Sequence, residues 1–525
     1  MTTLNFDATK VAPSVVKEEK PRVWSDRQLA IFHFAQHGQG NAVVVAVAGS
    51  GKSTTLIEAY NRLRGQGLFL AFNKAIADEL KAKGVNARTF HSLGYGAVMN
   101  HVGCSSVEMN KMHKLCTTIM NPSMYDQLSE EQKARQPRPG EMDFEYYSAF
   151  AKRLCGLAKQ GGIGAGLLPD TEQKWMDICV YHDIEPENEN ADLGRAIEWA
   201  RALLDASNDY RKHKMIDFDD MLYIPIRDGL SLPKYDFVFV DEAQDTNMIQ
   251  RALLRKVMKP RSRLIAVGDP AQAIYGFRGA DSDSLDILAR EFGCIELPLD
   301  ITYRCPESVV RYAHQWVSHI KARPGAPEGI VENHGLEWKS EMFQPDDLIV
   351  CRTTKPLVEL AYKMLRLRQP CRVLGKEIGQ GLKSVIKKMN ADTVDELLLK
   401  LDAWAEREIE KAMAKNLESK AESIHDKRET IAFLVDGLEE GNRTINEIYR
   451  VIDLLFADTL GVPMLSTIHK SKGLEAERVF WLNRSQCPPQ WIRGEWQKQQ
   501  ELNLCYVATT RAKSELHIIE NPQER

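Results

Sequence analysis

Two short stretches of this chain carry the residue types that handle phosphate and its hydrolysis. Ala46-Val-Ala-Gly-Ser-Gly-Lys-Ser53 places glycines at 49 and 51 just ahead of a lysine and a hydroxyl. Glycine-rich backbone turns its N–H groups towards an anion, and the start of a following helix adds partial positive charge. The lysine then reaches the outer phosphates and the hydroxyl can ligate Mg²⁺. Ala48, Gly49, Ser50, Gly51, Lys52, Ser53 and Thr54 are thus candidate nucleotide-binding residues. The strict form of such a loop has glycine where this chain has Ala46, so a plain glycine-rich turn is the competing reading. The second stretch, Tyr235-Asp-Phe-Val-Phe-Val-Asp-Glu-Ala-Gln-Asp245, is an apolar run ending in paired acids. Asp241 is suited to hold Mg²⁺ with Ser53, and Glu242 to orient and deprotonate an attacking water; a solvated acidic loop is the alternative.

Both stretches need a scaffold that delivers them to one cleft. Short β-branched runs at 43–47, 237–240, 264–267, 348–350, 479–482 and 517–519 alternate with segments of helical spacing. That rhythm predicts an α/β fold with buried parallel strands, whose C-terminal ends are where such sheets bind ligands. Two segments break the rhythm. Residues 94–216 read as mostly helical. Residues 378–459 read as a second, compact helical insert, separable from the motor, with Leu397, Leu401, Trp404, Ile409, Met413 and Leu417 along one apolar face.

The bulk properties set the outer limits. A length of 525 residues exceeds a single core at roughly 150 residues per domain, and 43% hydrophobic with 27% charged residues excludes wholesale disorder. No apolar run approaches the roughly 20 residues of a membrane span. Residues 1–20 show no secretory pattern and are expected to be a flexible tail. The ten cysteines form no C-x-x-C pair, which points away from a zinc site or disulfide framework and towards a reducing cytoplasm. A net charge of −4 gives no global basic signal, so any nucleic acid must be held in a local groove.

In order along the chain, the motifs resemble those of UvrD/Rep-type superfamily 1 helicases. Trp24-Ser-Asp-Arg-Gln28, the 46–53 loop, Leu70-Ala-Phe-Asn-Lys-Ala75, Thr89-Phe-His-Ser-Leu93 and Asp241-Glu-Ala-Gln-Asp245 come first. Val267-Gly-Asp-Pro-Ala-Gln-Ala-Ile-Tyr-Gly-Phe-Arg-Gly-Ala280, Thr302-Tyr-Arg304, Thr467-Ile-His-Lys-Ser-Lys-Gly-Leu-Glu475 and Tyr506-Val-Ala-Thr-Thr-Arg-Ala512 follow. Their wording is most similar to the F-box DNA helicase branch and its phage and bacterial relatives. This chain departs from the larger members in carrying Phe72 beside Asn73, Phe277 in place of the usual Trp, and a smaller second insert.

The resemblance implies two RecA-like lobes with two mainly helical inserts. The first lobe takes 21–93 and 217–297 around insert 94–216; the second takes 298–377 and 460–525 around insert 378–459. It also implies ATP and Mg²⁺ as cofactors. Lys52, Arg304 and Arg511 surround the γ-phosphate, Gln272 senses it, Glu242 activates water, and Gln28, Tyr303 and Glu475 contact the nucleotide. Phe72, Asn73, Thr89, Phe90, His91, Tyr275, Phe277 and His469 are the implied contacts to single-stranded DNA and to its junction with duplex. The implied activity is 3′-to-5′ translocation and unwinding by a monomer or weak oligomer. Alternatives are a translocase that clears proteins from DNA without unwinding, or an ATP-gated DNA-binding subunit of a larger complex. Because the chain stops soon after Arg511, no C-terminal nuclease is expected.

Overall fold

The computed structural model describes residues 23–71, 73–102, 107–182, 184–186, 188, 191–274, 283–414, 418–457, 459–489 and 495–521. The expected tail at 1–20 and the candidate residues Phe72, Tyr275 and Phe277 lie outside these. Among the described residues, fourteen strands build two six-stranded sheets and one small ribbon. The first sheet contains β1 (Asn41–Ala46), β2 (Gly67–Ala71), β3 (Ala87–Thr89), β4 (Tyr235–Val240), β5 (Met258–Gly268) and β6 (Cys294–Leu299). All its pairings are parallel, in the order β3-β2-β4-β5-β1-β6. The ribbon pairs β7 (Ile301–Thr302) with β8 (Lys321–Ala322). The second sheet contains β9 (Ile330–Gly335), β10 (Leu348–Cys351), β11 (Arg372–Val373), β12 (Met464–Thr467), β13 (Ala476–Leu482) and β14 (Ala512–Ile519). It too is wholly parallel, ordered β11-β12-β10-β13-β14-β9.

Two parallel sheets, each covered by helices on both faces, form the two-lobed RecA-like architecture. Val43 and Val44 on β1, and Val238, Phe239 and Val240 on β4, are all buried, as strands covered on both faces require. One face packs against the helix Asp26–His37 and the phosphate-loop helix Lys52–Asn61; the other merges with the long helical insert. The expected strand at 43–47 ends one residue earlier, since Val47 leaves the sheet as the chain turns into the loop.

The insert between β3 and β4 is helical and joined tightly to the lobe. Its first helix, Phe90–Val102, crosses Phe218–Arg227 at Gly94, where a Cβ would lie 1.8 Å from the Met221 carbonyl oxygen. Only glycine admits that approach. Gly94→Ala is therefore expected to cost about 3 kcal/mol, at the upper end for an overpacked site, as a loss of denaturant midpoint. An unchanged midpoint would mean the crossing relaxes freely.

The second helical insert is not the separable unit that its sequence suggests. Leu397, Leu401, Ile431, Leu434 and Ile452 share one core with Leu357 and Leu360, and with Phe480 and Leu482 of the sheet. Asp426 accepts the backbone N–H groups of Thr354 and Lys355, at 3.1 and 2.8 Å, capping the helix Lys355–Arg366. Removing 378–459 would strip the cover from that core. The apolar face holds for Leu397, Leu401 and Trp404 and partly for Ile409, but Met413 is exposed, and Leu417 lies outside the described residues. The nine described cysteines are all free. No helix among the described residues is long and apolar enough to cross a membrane.

Candidate functional site

The phosphate loop leaves the C-terminal end of β1 and turns through Gly49 and Gly51, at φ 69° and 76°, before the helix Lys52–Asn61 begins. Both values lie in the left-handed region that favours glycine. Gly49 has a second reason to lack a side chain: a Cβ there would lie 2.5 Å from Arg304 Cβ and 2.7 Å from Thr302 Oγ1. The loop is thus sheathed by the Thr302–Arg304 segment, whose Tyr303 N–H donates to the Gly49 carbonyl at 2.8 Å. Ala48 and Thr54 flank the turn. Ser50 is fully buried, and its Oγ has no hydrogen-bond partner among the described residues, an orphan that a phosphate oxygen would satisfy.

Across from the loop, β4 delivers Asp241 and Glu242. Ser53 Oγ donates to Asp241 Oδ2 at 2.6 Å, a hydroxyl and a carboxylate brought together as hard oxygen donors. That donor set fits Mg²⁺, which prefers one or two carboxylates plus phosphate oxygens. Glu242 sits at φ 52°, a strained conformation for a non-glycine residue. Its carboxylate faces Lys52 Nζ at 3.3 Å and accepts from the Gln244 amide. Burial raises the pKa of both acids, but they diverge. Lys52, Lys472 and the Gln244 hydrogen bond outweigh burial at Glu242 and hold its pKa low. At Asp241, burial and the neighbouring Glu242 charge win and push it up. Burial disfavours the Lys52 charge, yet Glu242, Asp269 and Asp241 overcome it and raise the pKa. The pair facing the loop is therefore a carboxylate and an ammonium.

The second lobe closes the cleft. Arg511, at the end of the helix Glu495–Thr509, is 1% exposed and donates to the carbonyls of Val507 and Leu474, both at 3.0 Å. Its Nη2 reaches Gln272 Oε1 at 3.4 Å, and Gln272 in turn donates to Asp269 Oδ2 at 2.6 Å. Burial and the like charge of Arg304 lower the Arg511 pKa to about 10, which still leaves it cationic at neutral pH. Arg304 pairs with Glu475 at 2.7 Å and donates to the Thr510 carbonyl at 3.1 Å. Gln28, from the helix Asp26–His37, donates to Thr55 Oγ1 at 3.0 Å and accepts from the Tyr303 hydroxyl at 3.2 Å. Beside them lies a cleft of about 710 Å³, bordered by Trp24, Arg27, Pro298, Tyr303 and Arg323. Lys52, Glu242, Gln272, Arg304 and Arg511 thus converge, with Gln28, Tyr303 and Glu475 at the rim.

Three residues that sequence reasoning left without a role bind the lobes together. Lys472 Nζ donates to Asp245 Oδ2 and to the Gln272 carbonyl, both at 2.7 Å, in a nearly dry ion pair. The Tyr506 hydroxyl accepts the Ala48 N–H at 2.9 Å, and Asn503 donates to the carbonyls of Pro270 and Ala273. Val47, Ala48 and Ile274 also belong to the second lobe's core. Lys472 and Tyr506 stood inside recognised motifs, so the signal was present; the partner across the cleft was not. Breaking a buried ion pair costs about 3–5 kcal/mol. Lys472→Ala should therefore loosen the lobes, seen as a larger radius of gyration in solution scattering. Unchanged scattering would make the contact incidental.

The candidate DNA contacts are less uniform. Asn73 caps the helix Lys74–Ala82 through Ile76 N, and Thr89 Oγ1 accepts from Ser92 N. Asn73 follows β2 and is exposed, whereas Thr89 ends β3 and is half-buried. His91 is half-buried against Phe218, with its pKa lowered by burial. His469 follows β12 and is half-buried. Phe90 corrects the expectation: it is only 7% exposed and packs among Leu70, Leu93 and Val98, so its ring offers no free face to a base.

Comparison with known proteins adds an independent line. The model of the UvrD/REP helicase N-terminal domain matches residues 28–293, and that of the UvrD-like helicase C-terminal domain matches 376–523. The chain is 24% identical to F-box DNA helicase protein 1 of Schizosaccharomyces pombe over 90% of this chain and 55% of that protein. It is 23% identical to a probable DNA helicase II homolog of Mycoplasma pneumoniae over 92% of this chain and 82% of that protein. To the ATP-dependent DNA helicase Rep of Escherichia coli it is 24% identical over 52% of this chain and 41% of that protein. The chain spans about half the length of the F-box DNA helicases it matches.

Proposed function

The chain belongs to the UvrD/Rep helicase family, and from that membership we propose that it is an ATP-driven motor that moves 3′ to 5′ along single-stranded DNA and separates duplex strands. One observation carries the reading: groups from both lobes meet at a single cleft, with Arg511 of the second lobe 3.4 Å from Gln272 of the first. A nucleotide bound there touches both lobes, so its binding and loss can open and close the cleft.

The chemistry follows from the side chains. Phosphoryl transfer asks for positioning and charge neutralisation more than covalent help. ATP lies with its β- and γ-phosphates on the N–H groups of the 48–54 loop, and Lys52 releases Glu242 to contact them. Glu242, freed of its lysine, orients a water and accepts its proton. Ser53 and Asp241 would hold Mg²⁺, which when bound would supply charge neutralisation on the phosphate oxygens. Arg304 and Arg511 reach the γ-phosphate from the opposite wall, and Gln272 reports its presence to the segment that follows. Gln28 and Tyr303 read the base, and Glu475 the sugar side.

DNA runs across the surface end of the lobes, contacted by Asn73, Thr89, His91 and His469. Phe72 adds a further contact, and Tyr275 and Phe277 serve as stacking platforms, each stacked base being worth roughly 1–3 kcal/mol. The names of the relatives, DNA helicases throughout, support DNA as the track. The test is strand separation of duplexes with a single-stranded tail. A 3′-tailed duplex should be unwound with ATP and Mg²⁺ while a 5′-tailed one is not, and the reverse preference would overturn the polarity.

A further inference from the structure

Far from the nucleotide cleft, two adjacent strands repeat one short pattern. Edge strand β9 carries Glu332-Asn333-His334 and its neighbour β14 carries Glu515-Leu516-His517. In a strand, residues two apart share a face, and His517 pairs directly with Glu332 across the ladder. The register then shifts between Ile518 and Ile519, so that His334 is the extra residue on β9. Such irregularities re-aim a side chain, and here the side chain turns onto His517, its Nε2 standing 3.0 Å from His517 Nδ1. Glu332 Oε2 lies 3.7 Å from the first nitrogen and 4.0 Å from the second.

We propose that Glu332, His334 and His517 form a binding site for a divalent transition-metal ion of the zinc class. A tetrahedral ion with Zn–N bonds of roughly 2.0–2.1 Å needs donors about 3.3 Å apart, so the three atoms need move only by tenths of an ångström. Two imidazoles and one carboxylate, with a fourth position open to water, suit Zn²⁺ rather than Mg²⁺ or Ca²⁺, which prefer oxygen.

The surroundings favour ligation. His517 Nε2 donates to Glu515 Oε2 at 2.9 Å, which fixes the tautomer and leaves the Nδ1 lone pair facing the cluster. A carboxylate behind a ligating imidazole is the arrangement that orients metal ligands elsewhere. Arg478 Nε stands 3.4 Å from the same Glu515 oxygen. The His517 ring is stacked on Phe480, centroids 4.7 Å apart at 17°, so it cannot swing away. The bound ion would pin the outermost strand to the sheet. His517 lies six residues beyond Arg511 along β14, about 20 Å at 3.3 Å per residue, so the ion acts on the second lobe's edge and not on phosphoryl transfer.

The experiment uses the metal-free full chain with Mg²⁺ in excess, titrated with Zn²⁺ in a calorimeter and with Co²⁺ in a spectrophotometer. One Zn²⁺ per chain and a Co²⁺ d–d band of tetrahedral intensity are expected. Glu332→Ala and His334→Ala should each abolish both signals. Glu515→Gln should weaken affinity by about 10- to 100-fold, the usual effect of removing an outer partner. Glu332 is largely exposed, so its variant should fold and keep DNA-stimulated ATP turnover, which separates this site from the nucleotide cleft. Absence of saturable wild-type binding, or equal binding by the variants, would overturn the proposal and leave the contact as a histidine–histidine hydrogen bond.

Discussion

Arg511→Ala should reduce ATP turnover by about 10³- to 10⁵-fold, the range that a transition-state arginine supplies in phosphoryl transfer. This equals roughly 4–7 kcal/mol at 1.36 kcal/mol per decade. The guanidinium is fully buried, points at Gln272 across the cleft, and has carbonyls in place of a carboxylate among its hydrogen-bond acceptors. Its charge therefore remains available for the charge that develops on the γ-phosphate. A surface ion pair, the usual state of an arbitrary arginine, would have had a carboxylate partner and open exposure. The alanine variant loses three hydrogen bonds as well as the charge, so Arg511→Lys is the necessary companion. Lysine keeps the charge but loses the planar fork, and it should still fall by orders of magnitude while its unfolding midpoint stays near wild type. Nucleotide affinity, read with a fluorescent ATP analogue, should change little in either variant. Lysine turnover close to wild type would remove Arg511 from the reaction.

Glu242→Gln is expected to bind ATP normally and to lose about 10²- to 10⁴-fold in turnover, the contribution of a positioned general base. The amide has nearly the same shape and can still lie against Lys52, but it accepts no proton. Asp241 is unsuited to replace it, because its oxygen is already engaged by Ser53. Single-turnover measurements should locate the loss in the chemical step. Equal losses in binding and turnover would instead mean that Glu242 only anchors Lys52.

Much of this site was legible in the residues because local rules set it. The glycine pattern at 49 and 51 demands positive φ whatever surrounds it, and an apolar strand ending in two acids places them at a sheet's C-terminal edge. The order of motifs carried the two-lobed fold in the same way. What escaped depends on partners far apart in sequence. Phe90 lies between two polar residues of a motif, yet its ring is claimed by the core that the helical insert brings down on it. Periodicity marked 378–459 as helical but could not show that its apolar face packs on the second lobe's own helix and strands. Lys472 was visible only as a charge in a motif; its partner Asp245 comes from the opposite lobe. The Glu-x-His repeat carries no signal in the sequence, because strand order alone makes its two copies neighbours.

In the proposed motor, a nucleotide bridging the two lobes drives movement along one strand. Stopped-flow translocation on oligonucleotides of increasing length, each labelled at its 5′ end, tests it most directly. The time to reach the label should grow in proportion to length, and Arg511→Ala should abolish arrival while leaving DNA binding intact. An arrival time independent of length would contradict it and reduce the cleft to an ATP-operated switch.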